Sequence, residues 1–79
     1  MKPVILARRL EPAFPNIAKA LIDGRYGDMF STVKAVFGLS PHAFEVDCLV
    51  AYRRATREQL NALSTIEREL SQDASNAPA

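Results

Sequence analysis

The sequence predicts an all-α domain: a short N-terminal arm or strand, two short helices, and a long or bent C-terminal helix. Three observations carry this. Apolar residues recur at three- and four-residue spacing through most of the chain. Gly24 and Gly38 stand just past such stretches, where a left-handed helix cap suits glycine. Residues 42–71 contain neither glycine nor proline, so nothing in that segment forces a helix to stop.

The elements follow in order. "KPVILARRL" reads as an extended arm or a short strand, with Leu6, Arg8 and Leu10 on one face and Ile5, Ala7 and Arg9 on the other. Pro12 and Pro15 open a first helix, since a missing N–H costs nothing in a first turn. Phe14, Ile17, Ala18 and Leu21 form its apolar face and Gly24 ends it. Asp28 is placed to accept from the free N–H groups of a second helix, whose face is Met29, Phe30, Val33, Val36 and Phe37. Gly38 closes that helix in a Schellman turn, with Leu39 folding back on it. Ser40 then caps the third helix and Pro41 takes its first position.

Leu49, Tyr52, Leu63, Ile66 and Leu70 lie on one stripe of this third helix, with Thr56 and Gln59 completing it and Leu60 beside it. Uninterrupted, the helix would be about 46 Å long. "TREQ" at 56–59 has the form of a capping box, so a bend or restart near Thr56 stays open. Residues 1–71 are expected as one domain and 72–79 as a disordered polar tail.

The chain's 79 residues are near the size at which one core is marginal and a partner often completes it. With 48% apolar residues a core is nevertheless feasible. The single cysteine, Cys48, excludes an internal disulfide framework and fits a reducing compartment. The first ten residues are too short in apolar content for a signal peptide, and no run approaches membrane-spanning length. A cytoplasmic protein is expected. Residues 1–57 hold nine basic and five acidic side chains, and residues 58–79 hold one basic and four acidic. A mildly basic front and an acidic rear result.

Catalysis finds little support. One His and one Cys fall well short of the roughly four ligands of a zinc site. Ser40, His42 and Asp47 at a helix start cannot all converge, and no glycine-rich phosphate loop is present. The expectation is a protein that is not an enzyme, with no metal and no cofactor. Cys48 and Tyr52 read as core residues, the latter with its hydroxyl at the edge.

Two resemblances bear on function. "TVKAVFGLSPHAF", residues 32–44, resembles the helix-turn-helix motif of bacterial regulators, with Val33, Phe37, Gly38, Leu39, Ser40 and Phe44 at its packing and turn positions. That resemblance implies a helix entering the major groove, with His42 and Ser40 as contacts. Residues 4–37 are also similar to ribbon-helix-helix repressors and antitoxins, with "VILARRL" as the ribbon, which implies Arg8 and Arg9 as base contacts. From the residues alone, Arg53, Arg54 and Arg57 form a cluster able to meet phosphates or an acidic protein surface.

The expected function is therefore non-catalytic regulation by binding a macromolecular partner. A protein partner, such as transcription machinery or a toxin-like target, ranks first because apolar surface is better supplied than basic surface. A DNA-binding repressor or antitoxin is the alternative, with Arg8, Arg9, His42, Arg53, Arg54 and Arg57 as contacts. An oligomerisation module is a third reading. Such a small non-catalytic chain would suit a phage- or plasmid-encoded regulator. Two helices of about 15–18 Å cannot cover a continuous third helix, so Leu60, Leu63, Ile66 and Leu70 are expected to face a partner or a second copy.

Overall fold

A computed structural model describes residues 2–24 and 28–76, with only the backbone of 73–76. Among the described residues there are five helices and no strand: α1 (Val4–Leu10), α2 (Pro15–Asp23), α3 (Met29–Val36), α4 (Glu45–Arg53) and α5 (Arg57–Asn76).

The N-terminal segment is the first correction. Residues 4–10, expected to be extended or a ribbon, are helical. Leu6, Ala7 and Leu10 are all buried. An extended chain would put Ala7 on the face opposite Leu6 and Leu10, whereas a helix gathers positions i, i+1 and i+4 on one side. Burial of the apolar set decides the winding.

The two short helices form where expected. Pro15 occupies the first turn of α2, and Gly24 caps its end at φ 65°. Asp28 caps α3 by accepting from the Ser31 N–H at 3.0 Å. At the other end the Leu39 N–H donates to the Lys34 carbonyl at 2.9 Å and the Gly38 N–H to Ala35 at 3.0 Å. With Gly38 at φ 70°, this is the Schellman pattern.

After Gly38 the chain departs from expectation. Ser40 and Pro41 do not start a helix. The Ala43 N–H donates to the Ser40 carbonyl at 2.9 Å, closing a turn with Pro41 at its second position. The Ser40 hydroxyl accepts from the His42 N–H at 3.1 Å. Helix α4 begins only at Glu45, where the Asp47 carboxylate reaches back to the Phe44 N–H at 2.8 Å.

The long third helix is also corrected: it is two helices. The Thr56 N–H donates to Gln59 Oε1 at 2.9 Å, and the Gln59 N–H to Thr56 Oγ1 at 3.1 Å. This reciprocal capping box starts α5 afresh. The break lets α4 pack on α1 while α5 crosses back onto α2 and α3. Helix α5 runs on through Asn76, past position 72 where a tail was expected; 77–79 lie outside the described residues.

The core joins all five helices. Leu6 and Leu10 of α1, Ile17 of α2, Val33 of α3, Cys48 of α4 and Leu63 of α5 are its largest fully buried side chains. Among the described residues no helix is long and apolar enough to cross a membrane.

Candidate partner-binding face

Helix α4 has more apolar residues than one face can bury. Cys48 is fully buried, and Leu49, Ala51 and Tyr52 pack half-buried against the core. That leaves Val46 and Val50, one turn apart on the outer side, 59% and 48% exposed. Phe44, just ahead of the helix, is 75% exposed. Val46 and Val50 thus make a short apolar row on the outer side of α4, and Phe44 stands apart from it at the head of the helix.

The turn ahead of Phe44 is anchored to α3. Lys34 is buried at 6% exposure, and its Nζ donates to the carbonyls of Pro41 at 2.7 Å and Ala43 at 3.3 Å. The same ammonium lies 4.0 Å from the centre of the Phe30 ring, a cation–π contact. These bonds satisfy an otherwise costly buried charge and tie the 40–43 turn to α3. Phe44 follows that turn directly. With Phe30, Pro3 and Ala43 it lines a concavity of about 270 Å³, with Lys2 and Glu45 at the margin.

Two long-range contacts orient α4. Glu45 Oε2 accepts from the Leu6 N–H in the first turn of α1 at 2.9 Å. At the far end Tyr52 meets Phe14 edge-on, with ring centres 6.3 Å apart. Phe14 in turn donates its N–H to the carbonyl of Leu10, the last residue of α1, at 2.7 Å. Helix α4 thus enters beside the start of α1 and leaves beside its end. The two C-terminal ends share one side of the molecule, with Arg9 exposed in the last turn of α1 and Arg53 and Arg54 exposed at the end of α4, while Arg8 lines a groove between α1 and α2 with Lys19, Ile22 and Asp23. Cations are favourable at helix C-termini, where the carbonyl dipoles converge. Arg57, also exposed, begins α5 just beyond.

The expected nucleic-acid residues therefore divide. Arg9 ends α1, Arg53 and Arg54 close α4 and Arg57 opens α5, whereas Arg8 lines the groove between α1 and α2. His42, exposed in the 40–43 turn, lies at the entry side of α4. The expected association stripe is corrected. Leu63 is fully buried, Leu70 is 6% exposed, and Ile66 packs half-buried on the core, leaving only Leu60 exposed, at 37%. The restart at Thr56 folds this stripe onto its own domain, so it does not face water.

Sequence reasoning missed Phe44, Val46 and Val50 as an exposed set. The signal was present: in "FEVDCLVAY" the apolar positions run round more than one face, which one neighbouring helix cannot cover. No sequence signal pointed to Glu67, on α5. Its Oε2 accepts from the Asn16 N–H at 2.9 Å and from Asn16 Nδ2 at 2.7 Å, and its Oε1 accepts from the Ile17 N–H at 2.9 Å.

Burial pushes the Cys48 thiol above its ordinary value, which keeps it a neutral packing group near neutral pH. Among the described residues no group of three or more His, Cys, Asp or Glu could hold a metal ion. Compared with protein-family models, with curated proteins and with solved structures, the chain matches none.

Proposed function

We propose that this protein is a non-catalytic regulator that binds a protein partner through the outer face of α4. The observation that carries this reading is the exposed row Val46 and Val50 on the outer side of α4, with Phe44 exposed ahead of the helix on a turn that Lys34 anchors. Aromatic and aliphatic side chains presented on a rigid mount are the usual anchors of an interface, because little side-chain or loop freedom is lost on binding. The exposure of five arginines favours a second reading, a DNA-binding repressor or antitoxin using Arg8, Arg9, Arg53, Arg54 and Arg57.

The test is capture from a nuclease-treated bacterial lysate with the wild type and with Val46→Asp and Leu60→Asp, both at exposed positions. The expected result is a protein retained after nuclease treatment, lost with Val46→Asp and kept with Leu60→Asp. Recovery of DNA alone from untreated lysate, or a captured protein indifferent to Val46→Asp, would reject the α4 face.

A further inference from the structure

We infer that the α4 face docks an acidic amphipathic helix of the partner protein, with the partner's carboxylates seated on the arginine end. This inference rests on the reading of α4 as the partner-binding helix and names the chemistry of what it binds. Val46 and Val50 stand at i and i+4, and the same row continues one turn later to Arg53 and Arg54. An apolar row that runs into cations complements a helix whose apolar row runs into carboxylates. Arg9, exposed in the last turn of α1, adds a cation at the C-terminal end of the helix packed against α4. The exposed carboxylates nearest in sequence to this end are Glu11 and Glu58, fewer than the arginines beside them. Guanidinium groups pair with carboxylates through two parallel hydrogen bonds, which fixes the register of the incoming helix as well as attracting it.

Duplex DNA is the competing polyanion, and this face suits it less well. Phosphates offer no partner to Phe44, Val46 or Val50. Asp47, exposed between the two valines in sequence, would be set against the phosphate charge. A protein helix can instead leave Asp47 in water at the rim.

The experiment is an NMR titration of the isotope-labelled full chain. The probe is a synthetic amphipathic peptide carrying leucine on one face and glutamate on its flanks. A glutamine-for-glutamate peptide and a short DNA duplex serve as controls. Saturable shifts are expected at Val46, Val50, Arg53, Arg54 and Arg9, with affinity falling at least about tenfold at high salt as the charges are screened. Arg53→Glu with Arg54→Glu should abolish binding while the spectrum stays dispersed, since both positions are exposed. Binding of the glutamine peptide equal to that of the glutamate peptide, lost in Val46→Asp, would overturn the acidic partner while leaving the α4 face intact. Shifts confined to other helices, or none, would overturn both. Tighter binding of the duplex than of the peptide at the same residues would assign the arginine end to nucleic acid and overturn the inference.

Discussion

Two glutamates hold helix ends that their own sequences leave open. Pro3 and Phe14, the residues ahead of α1 and α2, have no side chain able to accept from the first-turn N–H groups. Glu45 does so for α1 from 39 positions away, and Glu67 does so for α2 from about 50. Charge-assisted bonds of this kind are stronger than neutral ones. Glu67→Ala should therefore destabilise the fold by about 1–3 kcal/mol, read as a lower denaturant midpoint with unchanged slope. Asp28 gives a pH-dependent counterpart. The Ser31 hydroxyl, and then the Ser31 N–H, hold its carboxyl below the ordinary value of 3.8. A lowered folded value means the ionised form is the one the fold favours. Its contribution is fully present above the ordinary value and is lost as pH falls through the folded value. Asp28→Asn should follow the wild-type melting curve more closely in acid than at neutral pH, and a gap independent of pH would refute the assignment.

At the scale of elements, the decisive points are where helices end. Gly38 has φ 70°, and a Cβ there would meet nothing within 4 Å. The cost of Gly38→Val is therefore conformational rather than steric crowding by neighbours, about 1 kcal/mol or more. Thermal unfolding measures it, and an unchanged melting temperature would mean that the left-handed turn is not populated. The break between α4 and α5 has the opposite origin, since no residue there is barred from a helix. The Thr56–Gln59 box makes a restart inexpensive, and burial of Leu63 and Leu70 against α2 and α3 makes it favourable. Leu63→Asp should then unfold the chain rather than merely detach a partner, because an unpaired charge in a fully buried site costs several kcal/mol. Circular dichroism separates the outcomes, and a variant that stayed helical would contradict this packing.

For the molecule as a whole, charge is divided rather than large. Ten basic and nine acidic side chains nearly balance, and one of the lysines, Lys34, is buried under carbonyls. The others are spread along the chain from Lys2 to Arg68, so only a few can face one duplex at a time. Any DNA affinity should fall with salt on a shallow log–log slope, about −2 to −4. A tight sequence-specific complex that survives physiological salt would promote the DNA reading over the protein one.

The all-α class, the extents of α2 and α3, and three of their caps were legible in the chain because each depends on neighbours in sequence. Pro15, Gly24, Asp28 and Gly38 act within one helical turn, and their chemistry is the same in any fold. The capping box at 56–59 was legible as a possibility, but whether the helix stopped there depended on what Leu63 could reach. The winding of residues 4–10 was equally undetermined locally, since seven residues nucleate no helix unaided and needed the core to gather Leu6, Ala7 and Leu10. Likewise, Leu6 and Glu45 are 39 positions apart, and only tertiary packing lays α4 alongside α1 and leaves Val46 and Val50 on its outer side. Local backbone chemistry sets where helices can begin and end. Burial, which sums over the whole chain, decides which of those sites are used and which side chains remain outside.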